Sequence, residues 1–238
     1  MNSFVNKILE IQEIAIVLNA TNLNAGMLNL NFLKVSGIIP QDWELSRQPV
    51  ANPRLVQLNF KNGVNMAAQG GSVTFSEPIA NKALEEIKAP EVAIKYAEKL
   101  PNANYQVVSI NPRTLVGLGN GEDAASNFII NSLISPGPWR NLGQAPVKAN
   151  LNFLYQLEKC QLNLSVNEAK VQRKDQSQIS SLLFSGSFNY GVAQGNELER
   201  VTQLADKVSN WQTDMKTFQE IVHQKFLGYQ GSVFPDSM

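Results

Sequence analysis

The sequence predicts an α+β protein: two β-α-β-β-β-α repeats, antiparallel sheets with helices packed on one face, and a long C-terminal helix. Three observations carry that reading. Asn31, Phe32, Ser36, Ile38, Pro40 and Trp43 have the same internal spacing as Asn127, Phe128, Ser132, Ile134, Pro136 and Trp139, which points to two related halves. Apolar and polar residues alternate on both sides of Asn62-Gly63, the pattern of a hairpin. Val201, Leu204, Val208, Trp211, Met215, Phe218 and Val222 recur every three or four residues, an apolar stripe on one helix. The halves divide as residues 1–101 and 102–238 and are expected to form one compact unit.

In chain order, Ile11, Ile14, Ile16, Val17 and Leu18 make residues 10–20 a strand. Leu28, Phe32 and Val35 then give a short helix over 25–35, and two prolines mark the following stretch as a loop anchored by Trp43. Val56, Leu58 and Phe60, then Val64, Met66 and Ala68, form two strands about a type I′ turn. Gly70-Gly71 leads into a third strand over 73–76. Residues 81–100 are helical by pattern, with Pro90 expected to kink or split the helix.

The second half repeats the order. Residues 105–110, with Val116 beyond Asn111-Pro112, read as a strand, and 122–133 as a helix with acidic residues in its first turn. Three strands follow, marked by Leu151 to Leu157, Leu162 to Val166 and Leu182 to Tyr190 in alternation, with a polar mobile tip at 172–178. Residues 197–227 then form one helix of about eight turns, and the tail from Gly228 is loose.

Composition narrows the function. Charged residues are 17%, and the polar surface is drawn largely from 26 Asn and 18 Gln. Twenty basic residues balance twenty acidic ones, so no net field attracts a polyanion, and neither nucleic acid nor membrane is expected as a partner. The N-terminal apolar run is interrupted by Glu10, Gln12 and Glu13 and reads as mature protein rather than a signal peptide. Cys160 is alone and fits a reducing interior, so the expected location is cytoplasmic.

No catalytic, metal or cofactor site is expected. His223, the single histidine, lacks the partners of a metal site or a Ser-His-Asp triad and reads as a helix-end cation. A reactive Cys160 would need a lowered pKa, for which Lys159 is the nearest aid; a structural thiol is the simpler reading. The carboxylates of Glu85 and Glu86, and of Glu122 and Asp123, diverge by about 100° on a helix. The Gly117 to Gly121 turn lacks the Walker lysine and the dinucleotide spacing. Glu168, one strand step past Val166, either lies beyond the core or marks a polar spot in a pocket.

Two resemblances bear on these readings. SGIIPQDWELSRQPV, SPGPW, LNLSVNEAKV and FSGSFNY together resemble a conserved cyanobacterial protein family of about this length, without known activity. That resemblance implies a cytoplasmic, self-contained protein and supplies no catalytic residues. The element order is similar to the duplicated saddle of TATA-box-binding-protein-like folds, a likeness of order that carries no DNA binding.

The expected function is non-enzymatic binding or assembly, as a homodimer or with a protein partner, through an exposed sheet edge or part of the 201–222 stripe. The alternative is a small apolar ligand held between sheet and long helix, with Tyr155, Phe184, Phe188 and Trp211 as walls and Glu168 as the polar spot. An enzyme of unfamiliar type built on carboxylates is the third reading.

Overall fold

The structure, a computed structural model, describes residues 6–228 except 53, 81, 120 and 174. Its centre is a pair of long antiparallel strands, β1 (Lys7–Ala20) and β6 (Tyr105–Leu118), with Ile16 opposite Ile110. β-Branched side chains suit both to a sheet interior. Beyond β1 lie β5 (Ser72–Pro78), β4 (Asn65–Gln69), β3 (Leu55–Asn59) and the short β2 (Val50–Ala51). Beyond β6 lie β9 (Gln178–Gly191), β8 (Gln161–Gln172) and β7 (Leu151–Gln156). The result is one nine-stranded sheet, β2-β3-β4-β5-β1-β6-β9-β8-β7, with every pairing antiparallel.

The hairpin at Asn62-Gly63 forms, with a different turn. Phe60 and Val64 pair across Lys61, Asn62 and Gly63, and only Gly63 of these has positive φ, at 96°. That is the longer loop ending in a left-handed residue, not type I′. The two-residue turn with both φ positive sits at Gly70-Gly71, φ 55° and 81°, where Gln69 pairs with Ser72.

The described helices pack on one face. Toward them point Ile14, Ile16 and Leu18 of β1, Val108 and Ile110 of β6, Phe75 of β5 and Phe184 and Phe188 of β9, all buried. Over these lie α2 (Ala89–Lys99), through Val92 and Tyr96, α4 (Glu197–Ser209), through Leu204 and Val208, and α5 (Trp211–Glu220), through Met215 and Phe218. Gly186 lets α5 come close: a Cβ there would stand 2.8 Å from the Phe218 ring.

Four expected elements differ in detail. Residues 25–35 divide into a 3-10 turn (Ala25–Met27) and α1 (Leu30–Val35), whose first turn is capped by Asn29 accepting from Phe32 N–H. The helix expected within 81–100 splits, as one of the two expectations had it, into a 3-10 turn (Leu84–Glu86) and α2; Pro90 kinks neither piece and stands in the first turn of α2, where its missing N–H costs no bond. The strand expected at 105–110 with Val116 is one unbroken element, β6, which runs through Asn111-Pro112 to Leu118. The long helix breaks at Asn210, whose side-chain amide donates to Asp206 O at 2.8 Å, before α5 and a wider π turn (Ile221–Leu227). A similar π turn (Ile129–Leu133) follows α3 (Ala124–Phe128). Lys174 in the 172–178 tip, and the tail beyond Gly228, lie outside the described residues.

Candidate functional site

The second face of the sheet carries none of the described helices, and its chemistry is distinctive. In one row across the strands, Asn59, Asn65, Ser76, Ala15 and Asn111 stand opposite one another in turn. Ser187 continues the row by donating to Asn111 Oδ1 at 2.8 Å, and Asn163 and Leu154 complete it. The next row runs Gln57, Ala67, Thr74, Val17, Ser109 and Asn189. Charge is sparse here: Glu13 and Arg113 face each other across β1 and β6. The Asn-rich composition is thus partly spent on an amide and hydroxyl surface without a strong field.

The free edges of this sheet differ. β2 is two residues long. β7 has six residues, LNFLYQ, with neither charge nor proline. Leu157 N–H donates to Cys160 O at 2.9 Å and closes the β7-β8 hairpin. By strand alternation Leu151, Phe153 and Tyr155 turn their main-chain groups to β8, and Asn152, Leu154 and Gln156 turn theirs outward. Leu154 is 64% exposed on the uncovered face and Tyr155 37% exposed on the helix face.

The residues singled out from sequence do not converge on one open cavity. Phe184 and Phe188 are 0% and 1% exposed, and Trp211 is buried too. Phe184 meets Phe226 edge-on at 5.6 Å, and Phe226 meets Phe153 at 5.4 Å, so aromatic rings fill this part of the sheet-helix interior. Tyr155 stacks on Phe153 at 6.2 Å along the edge strand. Glu168 is held by Lys148, Nζ to Oε2 2.9 Å, at the margin of the core. The whole 201–222 stripe is buried within the chain, which removes it as a free seam.

A polar cluster that no motif announced lies beneath the β7-β8 turn. Tyr190 OH donates to Asp214 Oδ1 and Oδ2 at 2.8 and 2.9 Å, and the Cys160 thiol adjoins the same hydroxyl. Burial raises the Asp214 carboxyl from 3.8 to about 6, against the opposing effect of the Tyr190 hydrogen bond. Burial likewise raises the Cys160 thiol and the Tyr190 phenol. A thiol so displaced is no activated nucleophile; the cluster fastens the hairpin that carries β7 to α5.

Several other charged groups have structural partners. His223 Nε2 lies 3.2 Å from Glu10 Oε1 and joins the last helical turn to β1. Burial would raise Glu10, but hydrogen bonds from Lys7 and Gln12 and the charge of His223 outweigh it and hold the carboxyl low. Glu77, 1% exposed and passed over in the sequence, accepts from the N–H groups of Lys88 and Ala89 at 2.7 and 2.9 Å and caps α2. Among the described residues no three His, Cys, Asp or Glu side chains are placed to hold a metal, and no helix is long and apolar enough to cross a membrane.

The two corner tryptophans have different surroundings. Trp43 packs on the core and meets Phe60 edge-on at 5.2 Å. Trp139 lies beneath the Arg140 guanidinium, 5.3 Å from the ring, and Arg140 in turn donates to the Ile130 and Ile134 carbonyls. No family model, curated protein or solved structure matches the chain.

Proposed function

We propose that the chain is a non-catalytic assembly protein whose β7 edge pairs with β7 of a second copy, joining two sheets into one. The observation that carries this is the open edge itself, since an uncharged strand with outward N–H and C=O groups is a template for another strand. Its sequence is self-complementary about Leu154. With Leu154 opposite its own copy on a twofold axis, Asn152 meets Gln156, Phe153 meets Tyr155 and Leu151 meets Leu157. Each outward-facing pair exchanges main-chain hydrogen bonds, while the exposed Leu154 and Tyr155 gain apolar neighbours.

The filled interior around Phe184 and Phe188 weighs against an apolar ligand there. The raised Cys160 thiol and the paired Glu168 weigh against catalysis. The reading also takes the halves as copies of one unit. In its support, the strand order β1-β5-β4-β3 on one side matches β6-β9-β8-β7 on the other; the unlike tryptophan corners stand against it.

Sedimentation equilibrium tests the assembly. The expected mass is twice the 26.3 kDa of the chain, falling to that of one chain for Leu154→Lys, which puts a charge on the edge. A wild-type monomer at high concentration, or a dimer untouched by the lysine, would refute it.

A further inference from the structure

Pro112 stands in the middle of β6 and has no N–H to offer β9, and the β6-β9 register is interrupted at Asn111 and Pro112. A cleft of about 470 Å³ lies on the uncovered face beside this gap. Arg113, Asn111 and Ser187 stand on one side of it, Asn163 and Ser165 on the other, and Leu154 at its outer end. Arg113 is exposed and makes no ion pair or side-chain hydrogen bond among the described residues.

We infer that this cleft binds a small polyhydroxylated monocarboxylate, the chemistry presented by a hexuronic acid. The volume suits one such molecule. The planar guanidinium of Arg113 matches a carboxylate with two parallel hydrogen bonds. Asn and Ser side chains both donate and accept, as sugar hydroxyls do, so vicinal hydroxyls find partners of either sense. Leu154 supplies an apolar wall for a C–H face of the ring. The charge favours a monoanion: the remaining polar lining is neutral, and Glu13 stands opposite Arg113 in the strand register, so a second negative charge would lack a partner. The site does not rest on the β7 pairing, because Arg113, Asn111, Ser185 and Ser187 belong to β6 and β9.

Titration of the full chain with D-glucuronate, followed by calorimetry and amide shifts, tests this. Saturable binding is expected, with shifts at Asn111 and Ser185 and weaker binding of neutral D-glucose. Arg113→Gln is expected to weaken glucuronate binding roughly tenfold or more while leaving the weak glucose affinity unchanged. Asn163→Asp, which sets a like charge in the cleft, is expected to weaken glucuronate as well. Both positions are exposed, so neither change removes a core contact. Absence of saturable glucuronate binding, an affinity unmoved by both substitutions, or tighter binding of glucose 6-phosphate than of glucuronate would each overturn the assignment.

Discussion

The sheet ends in two edges of different kinds. β2 is only Val50–Ala51 and closes in a turn where the Asn52 side chain accepts from the N–H groups of Arg54 and Leu55. β7 is three times as long, uncharged, and carries Leu154 and Tyr155 in the open. The strand order outward from β1 and β6 is the same as far as β3 and β7, so topology does not decide which edge is protected. The last strand on each side decides it, through length and charge.

The largest expected effect of altering that contrast is Leu154→Pro. The lost residue donates outward, so β8 keeps its bonds while the edge loses a donor and an apolar side chain. A cost of about 3 kcal/mol in association, roughly a hundredfold in dimer affinity, should appear in sedimentation.

Next comes the anchorage of the β7 hairpin, which the β2 edge does not share. The folded-state value for Asp214, about 6, lies above its ordinary 3.8, so the folded chain holds this proton more tightly than the unfolded one. The associated stability is present at low pH and lost as pH rises through about 6, by up to roughly 3 kcal/mol. Asp214→Asn keeps an acceptor for Tyr190 and should remove this slope, measured by denaturant unfolding on either side of that range. Tyr155→Ser should be milder than Leu154→Pro: the twofold seam holds two Phe153–Tyr155 pairs, and losing both costs about 2 kcal/mol, roughly a thirtyfold weaker dimer in the same sedimentation assay. Val50→Lys on the opposite edge should leave the mass of the assembly unchanged.

Much of the fold was legible because burial writes a period into the chain. Val56, Leu58 and Phe60 alternate because one face of β3 is covered, and the stripe ending at Val222 is spaced for a helix on a sheet. The same periods hid the breaks. Asn210 interrupts the helix within a single residue, so Val208 and Trp211 keep their spacing while the axis is reset. Residues 105–110 read as strand by themselves, whereas the stretch beyond Asn111-Pro112 is held in β6 by its pairing with β1, which no local signal records.

Of the candidate site, the exposed sheet edge was expected in kind but not in place. Alternation shows which face of a strand is apolar, and nothing in it says whether a neighbouring strand lies beyond. The Cys160, Tyr190 and Asp214 cluster was illegible because its members come from a turn, a strand end and a helix, and meet only once β7 and β8 are folded onto α5. Glu168 was noticed for its parity, yet its partner Lys148 lies twenty residues back in a loop.

Amide hydrogen exchange along β7, at two protein concentrations, tests the edge most directly. The outward amides of Asn152, Leu154 and Gln156 should exchange slowly when the chain is concentrated and quickly when it is dilute, while those of Phe153 and Tyr155, already bonded to β8, stay protected in both. Fast exchange of all three outward amides at every concentration would contradict pairing through this strand.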